Sequence, residues 1–330
     1  MLVAALTVAS AAGPAPGAAG AQERHAALAE SFGTGPVYGG VFADPTVLAV
    51  GGTYYAYATN ADGENLPVIE STDLDHWVAV GDAMPVLPSW VQDGFTWSPS
   101  VAVDPTGGYE LFFTAYDPAA HHECLGRATA SSPLGPFVSS GEQPFLCQTA
   151  LGGTIDPSVY AGRGADDLVW KSDGETGQGQ EVWSQRLGPG DRTLVGRPAL
   201  LQAPDQAWEA GVIEGPTLAA IGGTLYLLFS GNAWTSAAYA IGAATCASPL
   251  GPCAPSGPVP VLSTSVTAVG PGGPAVFRAG RRTVLAYAAS PGGAPSGGDG
   301  TGGGAGGGEG GRELFLADVS SAGGTLLVDH

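Results

Sequence analysis

Hydrophobic positions in this chain fall in short runs, and the runs repeat. Five times a small or polar residue precedes a proline, a β-branched or leucine-containing segment follows, and a strand rich in aromatic or large apolar residues comes next. The first copies are Asp44-Pro45-Thr46-Val47-Leu48, leading to Gly51-Gly52-Thr53-Tyr54-Tyr55, and Ser98-Pro99-Ser100-Val101, leading to Gly107-Gly108-Tyr109. Asp156-Pro157-Ser158-Val159-Tyr160 leads to Asp167-Leu168-Val169-Trp170. Gly215-Pro216-Thr217-Leu218 leads to Gly222-Gly223-Thr224-Leu225-Tyr226, and Gly273-Pro274-Ala275-Val276-Phe277 to Thr283-Val284-Leu285-Ala286-Tyr287. The intervals between the prolines are 54, 58, 59 and 58 residues. A later strand repeats too, Ala128 to Pro136 against Ala243 to Pro252.

No long window carries the helical period, and each unit reads as short strands joined by Gly, Pro, Asn and Asp turns. Units of this length suit a four-stranded sheet with one longer loop, and such sheets repeat radially in propellers. The predicted fold is all-β, a five-bladed β-propeller. A β-sandwich does not explain so regular a spacing.

Composition alone points elsewhere. With 54 glycines and 27 prolines in 330 residues, the chain resembles low-complexity sequence. The period changes that picture. Outside residues 1–21 and 291–311 there remain 38 glycines in 288 residues, many of them punctuating the repeat. The stretch 291–311 holds 13 glycines and predicts a flexible insertion between strands of the last unit. Leu2 to Ala12 is apolar but too short to span a bilayer. The small residues that follow, ending in Ala19-Gly20-Ala21, suit signal peptidase. The expected organisation is a signal peptide over 1–21, a tail over 22–36 and the propeller over 37–330, in a secreted protein.

Charge narrows the function. The chain carries 30 acidic and 11 basic residues, a formal net charge of −19, and a single lysine, Lys171. Neutralising phosphates takes clustered Lys and Arg, so neither nucleic acid nor an anionic membrane is an expected partner. Four cysteines fit an oxidising compartment and allow three pairings. The turn Ser248 to Pro252 is able to join Cys246 to Cys253, which leaves Cys124 for Cys147; buried free thiols are the alternative.

The first strand of each propeller blade lines the central channel, so polar residues beside the five prolines converge on one axis. Three copies place a carboxylate there: Asp44, Asp156 and Glu214. Asp-Pro also opens turns, so each alone has a structural explanation. Three converging on one axis point to chemistry, because a carboxylic acid and a carboxylate flanking a glycosidic bond perform its hydrolysis. Glu214 stands two residues before its proline, whereas both aspartates stand one before. A one-residue shift reverses the side-chain face of a strand, so a bulge is expected at Glu214. An ionised Asp156 near Glu214 is expected to raise the affinity of that acid for its proton.

Val41-Phe42-Ala43-Asp44-Pro45, Trp97-Ser98-Pro99-Ser100-Val101, Gly153-Thr154-Ile155-Asp156-Pro157-Ser158 and Val212-Ile213-Glu214-Gly215-Pro216 resemble the blade motifs of glycoside hydrolase family 43. That family comprises five-bladed arabinanases, α-L-arabinofuranosidases and β-xylosidases. The resemblance runs from about Val37 to Tyr287 and includes Ser71-Thr72-Asp73-Leu74-Asp75-His76-Trp77. It implies Asp44 as general base, Asp156 as modulator and orienter, and Glu214 as general acid, with inversion at the anomeric carbon. The implied substrates are α-L-arabinofuranosyl linkages of arabinan or arabinoxylan, that is, plant cell-wall polysaccharide or its oligosaccharides. β-D-xylosides and a non-catalytic sugar-binding propeller are the alternatives, and a monomer is expected. No cofactor is expected. A structural cation in the central channel is a feature of many members, held through a histidine in the fifth blade. Here the run is Gly270-Pro271-Gly272-Gly273-Pro274, without it.

Phe42, Trp97 and Trp234 are candidates to stack on sugar faces, with a core role as the alternative. Asn232 is a candidate to bond substrate hydroxyls or to shape a turn. His121-His122-Glu123 lacks the helical setting of a zinc motif and reads as an exposed turn. Asp166-Asp167 and Asp173-Gly174-Glu175 read as solvated turns.

Overall fold

The computed structural model describes residues 34–139, 141–162, 164–174, 179–189, 193–292 and 311–329. The expected signal peptide, residues 22–33 of the tail and residues 293–310 of the glycine-rich stretch lie outside them. The described residues form five four-stranded antiparallel sheets, each a simple meander. Blade 1 is β1 (Thr46–Val50), β2 (Thr53–Tyr57), β3 (Pro67–Ser71) and β4 (Val78–Asp82). Blade 2 is β5 (Thr96–Val103), β6 (Tyr109–Asp117), β7 (His122–Ala130) and β8 (Val138–Ser139). Blade 3 is β9 (Thr154–Tyr160), β10 (Asp167–Ser172), β11 (Val182–Leu187) and β12 (Leu194–Gln202). Blade 4 is β13 (Ile213–Ile221), β14 (Thr224–Gly231), β15 (Ala240–Cys246) and β16 (Cys253–Pro255). Blade 5 is β17 (Ala268–Ala279), β18 (Arg282–Pro291), β19 (Glu313–Ala322) and β20 (Thr325–Asp329).

The repeated glycine pairs make the first hairpins. Between β1 and β2, Gly51 and Gly52 adopt φ of +61° and +91°, and Val50 pairs directly with Thr53. Gly222 and Gly223 repeat this in blade 4, with φ of +59° and +87°. Two residues of positive φ match the right-handed twist of the strands they join, and glycine takes that conformation without a Cβ clash.

The innermost strands β1, β5, β9, β13 and β17 pack in a ring, β17 closing on β1. Residues just ahead of blade 1 secure the closure: Val37 and Phe42 donate backbone N–H groups to the carbonyls of Leu314 and Arg312 beside blade 5. Five hydrophobic clusters result, one at each interface between blades. Tyr57, Phe113 and Phe137 lie between blades 1 and 2, Trp170 and Phe112 between 2 and 3, and Tyr287 and Phe315 between 4 and 5. The aromatic residues of the repeat are therefore mostly core, each burial contributing about 1.5–3 kcal/mol. Cys246 is joined to Cys253 and Cys124 to Cys147.

Candidate active site

The residue before each repeated proline is left-handed. Asp44, Ser98, Asp156, Gly215 and Gly273 have φ of +47°, +46°, +55°, +56° and +63°. An L-residue in this region costs roughly 1–2 kcal/mol, and three of the five are not glycine. Proline also has no N–H for the ladder. In blades 2, 4 and 5 the register between the first two strands shifts across this point, between Trp97 and Ser100, Glu214 and Thr217, and Gly272 and Ala275. Blade 3 shifts in the same way, between Ile155 and Ser158, which pair with Lys171 and Val169. The irregularity expected at Glu214 is therefore present, and it is general to the repeat. It brings side chains both one and two residues ahead of the proline to the mouth of the channel.

Below that mouth, each blade lends four residues, starting with the left-handed one, to a polar cavity of about 140 Å³. Hydrogen bonds connect the mouth from blade to blade. Thr59 Oγ1 donates to Asp44 Oδ2 (2.7 Å) and accepts from Ser98 N–H (3.1 Å). Ser98 Oγ donates to Asp156 Oδ1 (2.7 Å), and Asp156 Oδ2 accepts from Gly215 N–H (2.9 Å). The chain thus runs from the carboxylate of blade 1, through blade 2, to that of blade 3 and the backbone beside Glu214.

Register places Thr114, Lys171, Ser230 and Ala288 at one equivalent position on the second strands, and Thr59, just past β2 with its N–H on the Ala43 carbonyl, matches them in blade 1. In blades 1, 2 and 4 this residue is a hydroxyl that accepts the N–H of the next blade's left-handed residue: Ser98, Asp156 and Gly273 (3.1, 2.9 and 2.9 Å). Blade 3 has Lys171 instead. Its Nζ lies 3.3 Å from Glu214 Oε2 and 4.0 Å from Asp173 Oδ1. The other oxygen of Glu214, Oε1, accepts from Tyr239 Oη at 2.8 Å.

Burial raises the pKa of Asp44 to about 6, with repulsion from Asp156 adding to it and the Thr59 hydrogen bond and Arg312 opposing it. Asp156 is also raised, chiefly by burial, although Lys171 opposes the shift. Lys171 itself is held above the usual lysine range: burial lowers it, but Glu214, Asp156 and Asp173 together outweigh that. Tyr239 is raised well above an ordinary phenol by burial and by Glu214, so its hydroxyl keeps its proton.

A family model described as glycosyl hydrolases family 43 matches residues 34–325. This chain belongs to that family. An arabinoxylan arabinofuranohydrolase of Bacillus subtilis is 27% identical over 212 residues, 52% of this chain and 40% of that protein. An extracellular endo-α-(1→5)-L-arabinanase of Thermotoga petrophila is 24% identical over 209 residues, 49% of this chain and 43% of that protein. The chain thus spans less than half the length of these two relatives. Among solved structures, a thermostable family-43 glycoside hydrolase superposes with a TM-score of 0.74 at 24% identity, covering 88% of this chain and 93% of that one. An endo-1,4-β-xylanase of Bacteroides thetaiotaomicron gives a TM-score of 0.74 at 25% identity, covering 89% and 96%.

Against this family 43 framework, several sequence expectations need correction. Phe42 is 1% exposed and packs edge-on against Tyr38 in the cluster between blades 5 and 1, so it has no face to offer a sugar. Asn232 is a turn former at φ +77°: its Nδ2 donates to the Trp208 carbonyl and its Oδ1 accepts from Ala233 N–H. Asp167 is 1% exposed and paired with Arg186 at 2.8 Å, and Asp173 faces Lys171, so neither is a solvated turn. Trp97 is half-buried beside the mouth, its ring tilted at 52° to that of Phe95. Trp234, 45% exposed, stands on the segment that leads to Tyr239.

Where related proteins lead one to expect a histidine, blade 5 is closed to side chains. A Cβ on Gly272 would fall 1.9 Å from Tyr239 Cε1, and one on Gly273 would fall 3.0 Å from Asp44 Oδ1. This stretch does not fit a cation-holding side chain. Among the described residues, no group of three His, Cys, Asp or Glu is arranged to hold a metal ion.

Sequence reasoning missed Lys171, Tyr239 and Arg312. Lys171 had a signal: it is the only lysine of the chain and interrupts the apolar run Leu168-Val169-Trp170. Tyr239 and Arg312 carried none, because each reaches the site through packing between blades.

Proposed function

We propose that this protein is an inverting glycoside hydrolase acting on α-L-arabinofuranosyl linkages of arabinan or arabinoxylan. The observation that carries the reading is the set of carboxylates from blades 1, 3 and 4 at one channel mouth, Asp44 and Asp156 linked through Thr59 and Ser98. In the proposed step, Glu214 gives its proton to the glycosidic oxygen as the bond from that oxygen to the anomeric carbon breaks. Water attacks the same carbon from the opposite face and passes its proton to Asp44. Asp156, held by Ser98 Oγ and Gly215 N–H, orients this pair and adds negative charge beside it. The names of the Bacillus and Thermotoga relatives support the substrate class. The xylanase named among the superposed structures supports β-D-xylosides as a second reading.

Export fits the two disulfides and the extracellular Thermotoga relative. The proposed partner is cell-wall polysaccharide, met by a monomer that needs no cofactor.

The test incubates purified protein with 4-nitrophenyl α-L-arabinofuranoside, 4-nitrophenyl β-D-xyloside and linear arabinan, following the first product's anomeric configuration by proton NMR. Loss of a general acid or base costs about 10²–10⁴-fold. Glu214→Gln is expected to lose that much on arabinan, and Asp44→Asn on all substrates with an unchanged circular dichroism spectrum. Undiminished arabinan cleavage by Glu214→Gln would refute the acid assignment. Sugar binding without turnover would favour a non-catalytic propeller.

A further inference from the structure

We infer that Lys171 and Tyr239 are positioning residues that decide which oxygen of Glu214 carries the transferable proton. This rests on Glu214 being the general acid. The geometry is two-sided: Lys171 Nζ meets Oε2 at 3.3 Å, and Tyr239 Oη meets Oε1 at 2.8 Å. An ammonium only donates, so the oxygen beside Lys171 is held as an acceptor and is closed to the proton. A phenol both donates and accepts. When Glu214 is protonated, Oε1–H donates to Tyr239 Oη, and when it is ionised the phenol donates back. The transferable proton therefore sits on Oε1.

Both partners are built in rather than incidental. Lys171 is 2% exposed, and an ammonium taken from water costs several kcal/mol unless it is paired. The repeat has a neutral solution for this position, the hydroxyls of Thr59, Thr114 and Ser230, each of which accepts an N–H of the next blade. Blade 3 gives up that contact, and Asp156 Oδ2 takes over the N–H of Gly215. The lysine is thereby released to face Glu214.

Tyr239 is fixed from behind. Its ring occupies the space left by Gly272, and the Arg312 guanidinium lies 5.2 Å from the ring centroid. Arg312 is itself anchored on the carbonyls of Gly270 and Ala288, at 2.9 and 2.6 Å. In the reaction, Oε1–H leaves Tyr239 for the glycosidic oxygen. The bond from the anomeric carbon to that oxygen breaks, and the carboxylate that remains keeps Lys171 as counterion.

Leaving-group dependence tests this, because proton delivery matters far more for an alkoxide than for a nitrophenolate. The kcat/KM values of Lys171→Met, Tyr239→Phe and Glu214→Gln are measured on methyl and 4-nitrophenyl α-L-arabinofuranoside, with the matching β-D-xylosides in parallel. Each variant is expected to lose at least tenfold more on the methyl glycoside than on the nitrophenyl one. A purely structural role would lower both equally. If Glu214→Gln shows the dependence while Tyr239→Phe keeps the wild-type ratio, the inference is overturned and the acid assignment stands. If Glu214→Gln itself keeps the wild-type ratio, the acid assignment falls and the inference with it. Tyr239→Phe preserves the ring in its cavity, so it decides the matter even where Lys171→Met does not fold.

Discussion

Blades 3 and 5 share one backbone plan and put opposite chemistry on it. Each has a left-handed residue before its proline, with φ of +55° at Asp156 and +63° at Gly273. On the facing strand the equivalent positions are Lys171 and Ala288. Blade 3 places a carboxylate and an ammonium at the two positions, and blade 5 places almost no side chain at either. The emptiness is itself a contribution. Gly272 admits the Tyr239 ring, and Gly273 lets Asp44 approach. The fold constrains the backbone at the five mouth positions, leaving their side chains free to differ. Charge in blade 3 and space in blade 5 are therefore two halves of one site.

The sharpest way to break the comparison is to fill the space. Gly273→Ala should cost roughly 1–2 kcal/mol from its positive φ and also crowd Asp44, lowering kcat more than tenfold. Gly280→Ala is the control, at φ +60° with nothing within 4 Å of the added Cβ. It should show a similar loss of stability by urea denaturation with unchanged kcat. Equal kcat in the two variants would show that the void facing Asp44 is only a turn requirement.

A second effect concerns the stability that the carboxylate beside this void costs. Below about pH 4 Asp44 is protonated in the folded and the unfolded chain alike, and it costs nothing. Between there and its folded value of about 6, only the unfolded chain releases the proton, so stability falls as pH rises, and above that the cost is complete. Asp44→Asn should therefore be more stable than wild type by on the order of 1–3 kcal/mol at pH 7.5, with the gain absent near pH 4. Differential scanning calorimetry at the two pH values checks this; a gain of the same size at both would contradict it.

A smaller effect is a shift in a pH profile. If Asp44 is the base, kcat/KM should rise with pH through about 6. Thr59→Val removes a hydrogen bond that favours the carboxylate, so this limb should move to higher pH. An unmoved limb would assign it to another group. The smallest expected change separates the two classes of aromatic residue. Trp234→Ala should raise KM severalfold without loss of stability. Phe42→Leu should leave KM unchanged and lower stability by about 1 kcal/mol, as reshaping a packed core does. A raised KM in Phe42→Leu would return that ring to the site.

Much of this was legible before any coordinates. The five prolines and their spacing specified the blade count, and the Gly-Gly pairs marked the hairpins. The offset of Glu214 announced an irregularity, because a strand alternates its faces every residue. What was read wrongly shares one cause. Phe42 and Trp97 are both aromatics ahead of their blade's proline, three residues and two residues before it, yet one is sealed under Tyr38 and the other is half-open. Asp173 resembles a turn residue until β10 brings Lys171 beside it. The residue before each proline carries no mark of its left-handed backbone, since Asp, Ser and Gly all occupy it.

By itself, then, the amino-acid sequence determined the architecture and the identity of the converging carboxylates, because a period and an alternation are local properties repeated along the chain. Only the tertiary structure decided the partners of those carboxylates. Lys171 reaches Glu214 across the boundary between blades 3 and 4, and Arg312 lies 73 positions from the Tyr239 ring it backs. Such contacts depend on how the blades close into a ring, and no local pattern of residues encodes that closure.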